Sequence, residues 1–224
     1  MYQRFGKRLL DICISVLCIP FFAIIFICIA PIIYLTDKGP VFYNAERLGK
    51  NGKFFKMYKF RSMRVDAPDL RNADGSTFNS SSDPRVTRIG RFIRATSLDE
   101  TPQIFNVLNG SMSIVGPRAH LTTRYSGWEQ QTELQKKRLS VRPGITGYSQ
   151  AYFRNSATSE EKDEQDAYYV DHISFALDIK ILVQTFLSIV MHKNIYSSEG
   201  KQSAGVYSSE KGDVVEIETQ GNER

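Results

Sequence analysis

Outside a single apolar run, this 224-residue chain has no cysteine; Cys13, Cys18 and Cys28 all lie within the run and read as small hydrophobes. A disulfide framework and a Cys-based zinc site are therefore excluded from the polar part. Histidine is scarce too. His120, His172 and His192 are too far apart in sequence to suggest a His-based metal cluster. No glycine-rich loop of the P-loop type occurs, so ordinary nucleoside-triphosphate chemistry is not indicated. There is no internal repeat. Charge is missing altogether from Ile12 to Leu35, where Ser15 is a lone serine among apolar side chains. What remains is ordinary for a folded protein, 42% hydrophobic and 24% charged, with a net charge of +5 carried by the polar part. A basic balance suits nucleic acid, anionic lipid or phosphate-bearing substrates, and the apolar run favours the last two.

That run is long enough to cross a bilayer core. A cleaved signal peptide would share the basic start at Arg4, Lys7 and Arg8. Its apolar core, however, is about 7–15 residues and ends at small residues, whereas this one ends in Ile32-Ile33-Tyr34-Leu35. Against a simple spanning helix stand Pro20 and Pro31, each of which removes a backbone donor. Basic residues also flank both sides, with Lys38, Arg47, Lys50, Lys53, Lys56 and Lys59 following the run. Lys and Arg mark cytoplasmic flanks. The pattern thus favours a re-entrant helix–break–helix around Pro20, entering and leaving on one face, over a single-pass anchor. Farther on, Phe175–Met191 repeats apolar residues at helical spacing, with Asp178, Thr185 and His192 on the opposite side. This predicts an amphipathic helix that either packs on the core or lies in the membrane interface.

In the polar part, Val41-Phe42-Tyr43 and Phe54–Phe60 predict a two-stranded hairpin turning at Asn51-Gly52. Asp66–Pro84 reads as a long surface loop. Val86–Ala95 alternates apolar anchors with arginines. Ser97-Leu98-Asp99-Glu100-Thr101-Pro102 predicts a helix start with a capping box between Ser97 and Glu100, the helix stopping near Asn109-Gly110. Gly116-Pro117-Arg118 and Arg142-Pro143-Gly144 are turns carrying an arginine each. Glu160–Val170 predicts a polar helix, and the tail after Ser197 is expected to be loosely ordered. The expected division is a membrane hairpin over 1–36, a catalytic domain over 37–196 and a tail over 197–224. The expected fold class is α+β, mostly helical, with a short β-hairpin and an interfacial amphipathic helix.

Asp99 and Glu100 have two readings. Acids at a helix start complement its dipole and cap backbone N–H groups. They also lie in a chain offering Lys59, Arg61, Arg94, Arg118 and Arg142, mostly beside Gly/Pro turns. Cations converging on a small region would receive a diphosphate, and a carboxylate pair there could hold Mg²⁺ and attack phosphorus. Each cation taken alone reads more readily as a surface salt bridge.

Several segments in order resemble the bacterial sugar transferase family, the small monotopic phosphoglycosyl transferases. They are Lys7-Arg8-Leu9-Leu10-Asp11, Tyr58-Lys59-Phe60-Arg61-Ser62-Met63 and Asp83-Pro84-Arg85-Val86-Thr87-Arg88-Ile89-Gly90, followed by Ser97-Leu98-Asp99-Glu100-Thr101-Pro102-Gln103. Asn106-Val107-Leu108, Gly110-Ser111-Met112-Ser113, Val115-Gly116-Pro117-Arg118 and Arg142-Pro143-Gly144-Ile145-Thr146-Gly147 complete the series. The resemblance implies transfer of a sugar 1-phosphate from a UDP-sugar to undecaprenyl (polyprenyl) phosphate with release of UMP. It implies Asp99 as covalent nucleophile, Glu100 as its partner at a Mg²⁺ site, and Lys59 beside them. Arg61, Arg94, Arg118 and Arg142 would bind phosphates or nucleotide, and Pro20 would mark the membrane break. It further implies the cytoplasmic face of a bacterial inner membrane, membrane lipids as partners, no nucleic acid, and leaves a homodimer open. Ala119 and Ile19 depart from residues common in the family, proline and serine respectively. The choice of sugar is assigned to loops such as Tyr148–Thr158 and Asp66–Pro84.

Overall fold

The computed structural model describes residues 2–68, 70–71, 80, 83–122, 125, 127–153, 158–191, 205–208 and 214–217. The fold is α+β and mostly helical, with small sheets. After a π-helical turn at Tyr2–Gly6, the apolar run forms one long helix, α1 (Lys7–Asp37). The helix runs on through Pro20 and Pro31, where a helix–break–helix was expected. A proline inside a helix removes one donor and kinks the axis without having to end it. Its 31 residues correspond to about 46 Å of rise. Only Asp11, Ser15, Ile29, Ala30 and Ile33 are buried, while Leu9, Leu17, Phe21, Ile24, Ile27 and Leu35 stand exposed.

Both ends of α1 are fastened to the polar domain. Near the start, Arg8 donates to the carbonyls of Val107 (2.6 Å) and Leu108 (3.0 Å). Asp11 is buried and accepts from Ser113 Oγ at 2.8 Å and the Ile114 N–H at 2.9 Å. At the far end Asp37 takes a two-pronged Arg61 guanidinium at 2.6 and 2.7 Å. A charged side chain that would be costly in an apolar segment is thus spent on docking at each end.

The expected hairpin is present. Strands β1 (Phe42–Leu48) and β2 (Phe54–Phe60) pair antiparallel from Phe42↔Phe60 to Leu48↔Phe54. Asn51 (φ 55°) and Gly52 (φ 73°) turn the chain in the left-handed region that these two residue types tolerate. Phe60 is buried with Ile29, Ile33 and Ile93, joining the hairpin to α1. Strand β3 (Leu70–Arg71) lies within the stretch read as a long loop; residues 69, 72–79 and 81–82 of that stretch lie outside the described residues.

Helix α2 (Arg88–Ala95) is capped by Thr87, whose Oγ accepts from the Gly90 N–H at 2.9 Å. A 3₁₀ turn, Leu98–Gln103, then leads into α3 (Ile104–Leu108). The expected capping box at Ser97 is not formed. Ser97 has φ 58° and makes no side-chain cap, because the chain reverses sharply between α2 and the 3₁₀ turn. Strand β4 (Ser113–Val115) pairs in parallel with β6 (Gly144–Thr146), and β5 (His120–Leu121) adds to β1. A side chain at Gly144 would run into the backbone of Gly116 and Thr146, so the two Gly/Pro turns can stack only as glycines.

Helices α4 (Glu133–Leu139), α5 (Tyr148–Tyr152), α6 (Ser159–Asp171) and α7 (Phe175–Val190) complete the domain. Half of the supposed Tyr148–Thr158 loop is therefore helical; 154–157 lie outside the described residues. Helix α6 opens with a full capping box from Thr158 and Glu161. Helix α7 is amphipathic with its polar side turned inward. Asp178 is buried and accepts from Tyr2, Lys7 and Tyr169 at 2.5–2.7 Å, and Ser188 is buried as well. Ile181 joins the core, but Phe175, Val183 and Phe186 are more than half exposed. The helix thus packs on the core through Ile181, Leu177 and Leu182 and leaves its outer side apolar and exposed. In the tail, β7 (Gly205–Ser208) and β8 (Val214–Ile217) form a hairpin that adds to β3, where no regular element was expected. Val206, Val214 and Val215 are β-formers that a search for helical period passes over.

Candidate active site

Asp99 and Glu100 sit in the 3₁₀ turn between α2 and α3, facing the C-terminal end of β2. The turn is held from below by Asn106 of α3. Its amide donates to the Lys56 carbonyl at 2.8 Å and accepts the Tyr58 N–H at 2.9 Å, so the neighbouring Lys59 has a fixed position. Lys59 Nζ lies 2.6 Å from Glu100 Oε1 and 3.9 Å from Asp99 Oδ2. Arg118 reaches the same Glu100 oxygen at 3.7 Å from a largely exposed position. Arg94, at the last turn of α2, is steered by an Nε–H···Oγ bond to Ser62 of 2.9 Å, and its charge acts on Asp99.

The two acids are in unlike environments. Glu100 takes the short ammonium bond. Asp99 is buried, and burial pushes its carboxyl up to about 6; Lys59 opposes the rise, Glu100 adds to it, and Arg94 and Arg118 oppose it more weakly. A carboxylate that has lost water without gaining a close cation is a better nucleophile than a paired one. Ser97 forms no side-chain cap, while both acids do lie in the first turn of the 3₁₀ helix, where they also complement its dipole.

Of the residues singled out in the sequence, Asp99, Glu100, Lys59, Arg94 and Arg118 come together. Arg61 is placed elsewhere. It is buried against Asp37 and the Pro40 carbonyl, and its fork holds the Asp37 carboxyl below the usual range. Its role here is to fasten the end of α1. Arg142 donates its Nε–H to the Gly110 carbonyl at 2.8 Å, tying its turn to the end of α3. Pro20 lies inside α1.

One buried ion pair beside the site escaped the sequence reading. Buried Asp166 of α6 accepts the Arg118 N–H at 3.2 Å and the Arg138 guanidinium at 2.5 Å; the same Arg138 nitrogen donates to the Arg118 carbonyl at 2.9 Å. Ser149 completes the carboxylate at 2.8 Å, and burial raises the Asp166 carboxyl pKa. The backbone of Arg118 is thus gripped on both sides by a pair that never touches the acids. Isolated Arg138 and Asp166 in polar helices look like solvated surface charges, and only the fold brings them together.

Comparison with known proteins decides what this constellation belongs to. The profile of a family described as bacterial sugar transferase matches residues 2–192. The chain belongs to the bacterial sugar transferase family. It is 38% identical over 189 residues to the uncharacterized sugar transferase EpsL of Bacillus subtilis (strain 168), covering 84% of this chain and 89% of that one. It is 40% identical to the galactosyl transferase CpsE of Streptococcus agalactiae serotype III over 83% of this chain and 42% of the relative. Against the UDP-glucose:undecaprenyl-phosphate glucose-1-phosphate transferase of Escherichia coli (strain K12) the identity is 39%, over 87% of this chain and 42% of the relative. The chain thus spans about two fifths of the length of the latter two. The matched family segment contains every residue of the acidic site.

Proposed function

We propose that this bacterial sugar transferase moves a sugar 1-phosphate from a UDP-sugar to undecaprenyl phosphate through a covalent intermediate on Asp99. The observation that carries the reading is the asymmetry of the acid pair, with Asp99 buried and pushed to about 6 beside a Glu100 already paired to Lys59. Asp99 Oδ attacks the sugar-bearing phosphorus of the donor. The bond from that phosphorus to the bridging oxygen breaks, and the oxygen leaves with UMP. An oxygen of the acceptor phosphate then attacks the same phosphorus, the acyl-phosphate bond breaks, and the Asp99 carboxylate is restored. Lys59, Arg94 and Arg118 supply positive charge where phosphoryl oxygens crowd the attacking carboxylate. Fixed charges of this kind are each worth about 10²–10³ in rate.

A Mg²⁺ fits the donor set. Among the described residues no third acidic, Cys or His side chain joins the pair. Mg²⁺ takes one or two carboxylates and fills its shell with substrate phosphates and water. Asp99 and Glu100 would hold it, and when bound it neutralises charge on the diphosphate. Glu100, held by Lys59 and Arg118, orients the pair, and its charge adds to the upward shift of Asp99.

In this reading a re-entrant α1 holds the active site at the cytoplasmic face of a bacterial membrane. Two features support it. Lys7, Arg8 and Asp11 at one end and Asp37 at the other are bonded to the same domain, which favours both ends lying on the face that carries it. The outward apolar side of α7 offers a second surface for the interface. The test is UMP release by the membrane-embedded chain across a panel of UDP-sugars with undecaprenyl phosphate and Mg²⁺. One sugar should support turnover, and Asp99→Asn should abolish it. Turnover retained in that variant removes Asp99 from the nucleophile role. Residue 2 labelled from the face opposite the domain would remove the re-entrant placement.

A further inference from the structure

Lys59 and the acid pair belong to different pieces of the fold, and one short helix joins them. Strand β2 lies at the edge of its sheet, with β1 as its strand neighbour on one side. An edge strand presents free N–H and C=O groups and is held loosely unless something pairs with them. Here the partner is a side chain. Asn106 Nδ2 donates to the Lys56 carbonyl at 2.8 Å, and its Oδ1 accepts the Tyr58 N–H at 2.9 Å. One buried amide thus bonds the strand edge as a neighbouring strand would, one residue short of Lys59. Nδ2 also donates to Ser111 Oγ at 3.1 Å, which fixes the amide's orientation.

Asn106 belongs to α3, which continues the 3₁₀ turn bearing Asp99 and Glu100. Helix α3 therefore sets the lysine strand against the acids. Its far end is held by α1. The last carbonyls of α3, at Val107 and Leu108, accept the two terminal nitrogens of Arg8 at 2.6 and 3.0 Å. Carbonyls at a helix end have no partner within their own helix, and a cation there also complements the dipole. We propose that Arg8 and Asn106 are positioning residues for the transfer step, relaying the docking of α1 to Lys59. The inference rests on the reading of Asp99 as nucleophile and deepens it. Lys59 stands 2.6 Å from Glu100 and 3.9 Å from Asp99, so a small shift of β2 against α3 changes its pull on both acids. Arg94 and Arg118 are anchored independently of α3, by Ser62 and by the Arg138–Asp166 pair. A chain with α1 undocked thus keeps these cations for the donor and loses the poised carboxylate. Donor is then not spent where the lipid acceptor is out of reach.

The experiment uses the full chain in lipid nanodiscs. Steady-state kcat and donor KM, and the pH profile of single-turnover UMP release, are measured for wild type, Arg8→Met, Arg8→Lys, Asn106→Ala, Lys59→Met and the double variant Arg8→Met/Lys59→Met. Misplacement of a reacting group by about 1 Å costs up to about 10²-fold, so Arg8→Met and Asn106→Ala should lower kcat by about 10–100-fold and change donor KM by less than about threefold. Both should move the pH midpoint upward, as Lys59→Met does, because Lys59 opposes the upward shift of Asp99. Arg8→Lys, which keeps the charge and a donor, should recover part of the rate. The double variant should be close to Lys59→Met alone, since an absent lysine cannot be misplaced. Additive losses, or a midpoint that stays put in Arg8→Met, would reduce both residues to fold stabilisers and overturn the proposal. The two Arg8 variants carry the test even where Asn106→Ala does not fold. Turnover retained by Asp99→Asn would sink the nucleophile reading itself. Turnover lost in Asp99→Asn alongside additive Arg8 and Lys59 effects would sink this inference alone.

Discussion

Replacing Asp99 by its isostere should make the protein more stable while making it inactive. Burial raises the Asp99 carboxyl from 3.8 to about 6, so at neutral pH the folded protein holds a carboxylate that would be better solvated in the unfolded chain. At about 1.36 kcal/mol per pH unit, that rise corresponds to about 3 kcal/mol of stability lost to ionised Asp99. The neutral amide of Asp99→Asn would carry no such cost. The gain is an upper figure, because the amide must still satisfy its own N–H groups. For a domain of this size about 3 kcal/mol is an upward Tm shift of up to about 6–12 °C. The pH dependence gives the sign. The folded pKa lies above the unfolded one, so the cost is fully present above about 6 and fades as pH falls toward 3.8, where both states are protonated. Thermal unfolding of wild type and Asp99→Asn in one detergent, at neutral pH and near pH 4, should show a gap that closes in acid. A variant that is less stable at neutral pH, or whose advantage persists in acid, would refute the burial argument.

The same electrostatics predict the pH profile of single-turnover UMP release without acceptor: a fall in rate below about 6 as Asp99 takes up a proton. Lys59→Met should move that midpoint up and Glu100→Gln should move it down, each read against its own plateau; coincident midpoints would contradict the assigned interactions. Asp166→Asn should loosen the grip on the Arg118 backbone. Weakening charge-assisted hydrogen bonds of about 1.5–3 kcal/mol should raise the donor KM by roughly 10–100-fold, with a smaller effect on kcat. A KM unchanged in a folded Asp166→Asn protein would reduce the clamp to a stabilising pair. Asp11→Ala should leave Ser113 Oγ and the Ile114 N–H without their acceptor, lowering stability by about 1–3 kcal/mol as measured by denaturant titration.

Local signals in the sequence carried much of this. Asn51-Gly52 between aromatic runs announced the hairpin, and the apolar run announced α1. The acids, Lys59 and the Gly/Pro turns were visible as motifs, and Gly116 and Gly144 prove to be backbone contacts between two of those turns. What failed were readings that depend on which partner a charge meets. Arg61 looked like a phosphate ligand, but Asp37 is 24 residues away in sequence and comes into reach only when α1 docks. Ser97 and Glu100 had capping spacing, but a left-handed Ser97 cannot form the box. Helix α7 showed its amphipathic period, but periodicity gives the direction of a polar side only relative to the apolar one. That the polar side faces inward follows from Tyr2, Lys7 and Tyr169 converging on Asp178. The Arg118 clamp depends on α4 and α6 lying together, and no local pattern encodes that.

A phospho-sugar carried on Asp99 is the central claim, and intact-protein mass spectrometry tests it most directly. Incubating the embedded chain with its UDP-sugar and Mg²⁺ but no acceptor should add the mass of one sugar phosphate. Peptide mapping should place that mass on Asp99, undecaprenyl phosphate should discharge it, and Asp99→Asn should never acquire it. Turnover of donor and acceptor with no such adduct, or an adduct on another residue, would contradict the account.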